Sequence, residues 1–463
     1  MKKLIILFLL IQVMMGCKKQ DAWLDAKSNK SDVIPSTLED FQALLDNNSV
    51  MNSNYPSIGI VGADNSFVLD AVALTGGQVN ERNAYKWSKD IYENSLDGGA
   101  HWQYPYQIIE YANVVLDGLA ESNISPNGSF NNIKGQALFF RSFAYYNLLQ
   151  IYAKQYRKET ANTDLGLPLK LSSDVNVIVG RSSIQAVYDQ IINDLTLAER
   201  LLNDIPLFKT RPSKPAAHSL LAKVYLNMGN YAKAKEYADL VLSANNSLID
   251  LNTLNTALTY PFPTFQSNTN TEILFYSTGV GLTFNSLTNL LVADELYNQY
   301  DANDLRKTIF FRTNANLTHS FRGRYSAGQA IFCGLTTNEI YLIRAECLTR
   351  LGNYQAAMAD INTLLRQRWK KDNGISRYAN QVAGKENEAL NIILIERRKE
   401  LPFNGSIRWE DLKRLNLDPR FSKTLTRTVN GQQYTLPPND SRYVYPIPLL
   451  ETNFNPLVTQ NER

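Results

Sequence analysis

Histidine is nearly missing from this chain of 463 residues: only His101, His218 and His319 occur, and they stand far apart. Neither an HExxH motif nor a local zinc cluster can be built from them. A G-x-S-x-G elbow is absent, and so is a glycine-rich phosphate loop with its lysine, which disfavours the common nucleophile and nucleotide chemistries. Charge of one sign is also lacking. Forty-seven basic residues against 44 acidic ones leave a formal charge of +3, with no long Lys/Arg run to grip nucleic acid. No apolar stretch reaches the roughly 20 residues that a membrane-crossing helix needs. Of three cysteines, Cys17 stands near the start, while Cys347 falls in a helical pattern, so two buried thiols at Cys333 and Cys347 are favoured over a disulfide.

What is present begins with MKKLIILFLLIQVMMGC, a basic start and an apolar run from Leu4 to Met15 that ends at Gly16 and Cys17. Its length suits an export signal. Gly16-Cys17 resembles the lipobox of bacterial lipoproteins, with Met14 where Leu is usual, and an ordinary secretory signal with an incidental cysteine is the alternative. The lipoprotein reading makes residues 1–16 a signal, Cys17 the lipidated residue and 17–35 a polar tether, with lipid as the only membrane attachment. Residues 36–463 then form one α-helical domain, whose 44% apolar content supplies a substantial core.

Two phrases repeat: MGNYAKAKEYADLVLSA from Met228 and LGNYQAAMADINTLLRQ from Leu351. Apolar residues keep helical spacing on both sides of Gly229 and Gly352, and each glycine sits where a helix must end on a left-handed residue. Each copy is therefore predicted to be a helical hairpin, near 216–244 and 339–368. Small alanines let the paired helices approach closely. The pattern resembles the tetratricopeptide repeat without its regular period of about 34 residues. The stretch GQALFFRSFAYYNLLQIY from Gly135, with the amphipathic stripe of Ile184, Val187, Ile191, Leu195, Ala198 and Leu202, predicts a third pairing near 135–202. Such hairpins must stack to bury their faces. The expected class is all-α, a right-handed scaffold of tetratricopeptide-like hairpins with long irregular loops and little β-structure. Segments 206–215, 253–281 and 312–334 lack helical period and are long enough to suggest function.

The run EIYLIRAECLTRLGNYQAAMADINTLLRQR, then ALNIILIERRKELPFNGSIRWEDLKRL, then YPIPLLETNFNPLVTQN resembles the closing signature of the SusD/RagB family of Bacteroidetes outer-membrane lipoproteins. GQALFFRSFAYYNLLQIYA is similar to an earlier helix of that family. The resemblance implies a lipid-anchored protein on the extracellular face of the outer membrane. It implies a nutrient-binding role without catalysis or cofactor: capture of a glycan, or in some members a peptide, for a partner TonB-dependent transporter of the SusC type.

Glu396, Arg397, Arg398 and Glu400, with Glu410 and Asp411 after the FNGSIRW turn, admit two readings. Two of the carboxylates could serve a glycosidase, which needs them roughly 5–9.5 Å apart. The favoured reading makes them ion-paired supports of two packed helices, with Phe403 and Trp409 buried. A glycan binder needs flat aromatic faces beside hydrogen-bonding groups. Tyr145, Tyr146, Tyr225 and Tyr231 fall on helical stripes and are expected in the core. Loop residues Arg82, Asn83, Trp87, Tyr260, Phe262, Phe265, Phe284 and Tyr325 are the ligand-binding candidates. His101 and Trp102 open a helix and are read as cap and core. Scattered Asp and Asn could close a calcium site only in three dimensions, so a metal is unreadable here.

Overall fold

The computed structural model describes residues 35–93, 99–285 and 289–463. Cys17, the 1–16 signal and nearly all of the 17–35 tether lie outside the described residues. Nine helices build the frame: α1 (Ala100–Glu121), α2 (Gly128–Tyr152), α3 (Ile184–Leu201), α4 (Lys214–Asn227), α5 (Tyr231–Ala244), α6 (Thr337–Arg350), α7 (Tyr354–Arg366), α8 (Glu386–Glu400) and α9 (Ile407–Leu415). Each of α1 to α7 packs against the next, and α8 lies on α6 and α7. No helix among the described residues is long and apolar enough to cross a membrane.

The doubled phrase folds as two hairpins with the same corner. Gly229 has φ +72° and Gly352 φ +85°. At the first corner the Asn230 amide donates to Tyr225 O at 2.9 Å and that of Gly229 to Leu226 O at 3.1 Å. At the second the Asn353 amide donates to Leu348 O at 2.8 Å and that of Gly352 to Thr349 O at 2.9 Å. These crossed bonds satisfy the last carbonyls of α4 and α6 and require the left-handed residue. Asn230 and Asn353 then cap α5 and α7, their side chains accepting from the amides of Lys233 and Ala356.

Helix α2 is buried on nearly every side from Gly135 onward, because α1, α3 and the short helix Leu38–Leu45 all lie against it. A helix apolar all round is an interior helix. Helix α3 needs only one apolar stripe, and Ile184, Val187, Ile191, Leu195 and Ala198 are the residues buried along it. Tyr145 and Tyr146 are in the core as expected, whereas Tyr225 and Tyr231 are half-buried. Cys333 and Cys347 are free and buried.

Strand content is small and consists of short pieces. One four-stranded antiparallel sheet joins Ser66–Phe67, Leu291–Val292, His319–Phe321 and Phe311–Thr313 in that order. A separate hairpin pairs Leu425–Val429 with Gln432–Leu436 across Asn430 and Gly431, both at positive φ. Asn-Gly is the dipeptide that such a two-residue turn favours. The irregular segments are tied down rather than free: Ile273–Phe275 pairs with Leu335–Thr336, and Thr278 bridges to Phe332.

Candidate functional site

The eight candidate residues fall into two groups. Arg82 and Asn83 lie on the short helix Val79–Tyr85, and Phe284 meets Tyr85 edge-on with ring centres 6.5 Å apart. Glu81 of the same helix holds the 283–284 turn, accepting from the Thr283 hydroxyl at 2.6 Å and the Phe284 amide at 2.9 Å. Arg82 donates to Gly77 O at 2.7 Å, and Asn83 to Glu93 Oε1 at 2.8 Å. Trp87 adopts φ +52°, a strained backbone for a non-glycine residue. Its indole nitrogen donates to Gly62 O at 2.9 Å, and the Arg427 guanidinium lies 4.5 Å from its ring centre and 4.0 Å from that of Tyr85.

Tyr260, Phe262, Phe265 and Tyr325 come from the other loops. Phe262 packs 4.6 Å from Tyr325, whose hydroxyl donates to Glu272 and accepts from Asn338 Nδ2 at 3.0 Å. Glu272 in turn pairs with Arg368 at 2.6 Å. Asn83, Trp87, Phe262, Phe284 and Tyr325 are all buried. The segments that carry these ligand-binding candidates fold back as wall material, since aromatic rings in aperiodic chain can be covered by distant chain as those on a helix are. Arg82, Tyr260 and Phe265 keep partial exposure.

Phe265 is the candidate that borders an open cleft of about 870 Å³. It stacks on Tyr276 with centroids 3.9 Å apart and planes 22° apart, which fixes its tilt. The turn beneath it is pinned by Asn270, which donates to Pro263 O at 2.7 Å and accepts from Lys209 at its carbonyl. Phe208, 57% exposed, also lines the cleft, with Arg211 over its ring at 5.7 Å. Arg211 is itself anchored by a two-bond pair to Asp46. Gln266, Asn268, Lys209 and His218 add polar groups to the cleft lining. His218 contacts Glu199 at 3.1 Å, and burial together with Lys214 lowers its pKa. Thus the 206–215 and 253–281 segments, separate in sequence, both line one cleft. Phe208 was missed because a lone phenylalanine in LFKTRP carries no local signal; its membership of an aperiodic insert was the only pointer.

The carboxylates of α8 and α9 form architecture. Arg306 joins Asp304 at 2.7 Å, Glu396 at 2.6 Å and Glu400 at 3.0 Å, all buried. Arg397 bridges Glu339 and Asp411, and Arg414 bridges Glu346 and Asp411. Burial pushes Glu400 up, yet Arg368 and Arg306 hold it below the usual range. Burial raises Glu410, against the opposing pull of Lys223. Phe403 and Trp409 are buried beside this network. His101 is buried at the start of α1, its Nδ1 accepting from the Ser57 amide at 3.3 Å, and burial drives its pKa down to about 3. Trp102 donates to Glu451 at 3.1 Å. No group of three His, Cys, Asp or Glu residues among the described residues is placed to hold a metal ion.

Comparison with known proteins places this geometry. A family model described as starch-binding and associating with the outer membrane matches residues 22–226. A model described as the SusD family matches 336–463, and a tetratricopeptide repeat model matches 215–248. The SusD-like protein P2 of Formosa agariphila is 27% identical over 74% of this chain and 76% of its own length. A SusD superfamily protein from Bacteroides thetaiotaomicron has a similar fold, with TM-score 0.72 and 22% identity over 92% of this chain and 100% of its own. A structure described as a putative sugar-binding protein from Bacteroides vulgatus also gives TM-score 0.72 and 22% identity, over 93% and 99%.

Proposed function

The chain belongs to the SusD/RagB family of outer-membrane-associated proteins, and from that premise we propose that it captures a glycan at the cell surface and passes it to a SusC-like TonB-dependent transporter. Cys17 would carry the lipid that holds it there, facing outward. The observation that carries the binding reading is the cleft lined by Phe208 and Phe265 together with amide and cationic side chains. Sugars offer apolar C–H faces and a rim of hydroxyls, and such a cleft matches both. Tyr260 and Arg82, partly exposed, are secondary candidates for contact. Capture raises ligand concentration at a transporter mouth, and motion of the bound protein would deliver it.

The test is retention in affinity gels across a polysaccharide panel, with release of reducing ends recorded in parallel. Retention without new ends is expected. Catalytic release of ends would overturn the reading in favour of a hydrolase, and peptide binding without any glycan retention would replace the ligand class. Phe265→Ala and Phe208→Ala should each weaken retention about tenfold, about 1.4 kcal/mol.

A further inference from the structure

A second cavity, of about 730 Å³, opens between the C-terminal ends of α2 and α9, the 154–165 turn and the 439–462 segment. Arg157, Arg181 and Lys413 line it, and among the described residues none of them has a carboxylate within ion-pair distance. Lys413 is nine-tenths buried; its ammonium donates to Gln150 O at 2.8 Å and Ala153 O at 2.7 Å, which leaves one N–H and the whole charge. Arg181 donates only to the carbonyls of Leu165, Gly166 and Thr459. Of the acids lining the cavity, Asp164 is taken by Lys154 and Asp440 by Arg442, each at 2.8 Å, and only Glu462 is left.

Two neutral donors add to this excess. Asn416 Nδ2 and the Tyr443 hydroxyl are buried side by side on the cavity wall, the amide facing the phenol oxygen, and the hydroxyl proton has no acceptor. Lys413 and Asn416, three residues apart, share one face of the last turn of α9. A buried donor without an acceptor is costly, and a buried cation without a counter-charge more so. Burial pulls Lys413 down to about 7, with Glu410 opposing, and Arg181 down to about 10, as expected of cations short of a counter-ion. A negatively charged ligand in the cavity would offset this excess of donors and positive charge.

We propose that this cavity binds a small hydroxylated carboxylate such as a sugar acid, its carboxylate accepting from Lys413, Asn416 and Tyr443. The volume suits a ligand of that size and exceeds a bare ion. The site is separate from the Phe208–Phe265 cleft, so the two readings fail independently.

Calorimetric titration of the full chain with glucuronate, glucose and acetate tests it. Glucuronate should bind, glucose should not, and added salt should weaken the interaction. Tyr443→Phe removes a hydroxyl whose neighbour is the Asn416 amide and whose proton has no acceptor, so folding is kept while affinity falls about tenfold, as for loss of a charge-assisted hydrogen bond. Lys413→Met should abolish binding, and Phe265→Ala should leave it unchanged. Absence of glucuronate binding, equal affinity for glucose, or wild-type affinity in Tyr443→Phe overturns the proposal. Acetate binding as tightly as glucuronate would support the anion site and overturn its hydroxylated occupant.

Discussion

Trp87 and Phe265 look alike as loop aromatics but differ in what removing them would do. Trp87 is 2% exposed, hydrogen-bonded through its indole and covered by Arg427. Trp87→Ala should cost about 3–5 kcal/mol in chemical denaturation, the usual loss for a buried large aromatic. Phe265→Ala should cost under about 2 kcal/mol, since its ring is only partly buried and Tyr276 can relax. His101 makes a pH prediction. Its folded pKa is about 3 against an ordinary 6.5, so below pH 6.5 the unfolded chain binds one proton more than the folded one. The stability present above pH 6.5 should then fall with pH, by about 1.4 kcal/mol per unit from this residue, until pH nears 3. Denaturation midpoints of wild type and His101→Gln across that range check it: the variant's slope should be shallower by one proton.

At the scale of elements, the hairpin corners are the points where one residue decides a whole pairing. Gly229 and Gly352 have open space around the position a Cβ would take, so backbone conformation and not crowding demands glycine. Gly352→Ala should destabilise by about 1–2 kcal/mol, and Gly352→Asn by less, because asparagine tolerates the left-handed region. Thermal melts of the two variants separate strain from space: equal losses would count against the backbone argument. Both corners were legible beforehand, since helical period, small residues and a terminal glycine are local signals. The Leu425–Leu436 hairpin is equally local, with Asn-Gly at its turn.

Across the whole molecule, the ion network around α6, α8 and α9 ties segments distant in sequence. Arg306 is fully buried and reaches three carboxylates. Arg306→Met removes the cation shared by all three, leaving Lys399 against Asp304 and Glu396 and Arg368 against Glu400, and should cost about 3–5 kcal/mol. Because the pairs are buried, that loss should vary little between low and high salt, which denaturation at two ionic strengths would show. Attachment belongs to this scale as well: Cys17→Ala should leave the protein in the soluble fraction after cell lysis, and undiminished membrane recovery would count against a lipid anchor.

The sequence by itself determined the helical hairpins, their corners and the ion-paired character of the IERRKE and RWED segments, because helical period and capping act over a few residues. It also fixed which stretches would be aperiodic. Only the tertiary structure decided which rings in those stretches meet water. Trp87, Phe262, Phe284 and Tyr325 went inward while Phe208 and Phe265 were left bordering one cleft. Exposure of an aperiodic residue depends on what distant chain covers it, and no local pattern encodes that. The donor-rich cavity beside Lys413 was hidden for the same reason, since a cation's missing counter-charge is a property of the fold around it.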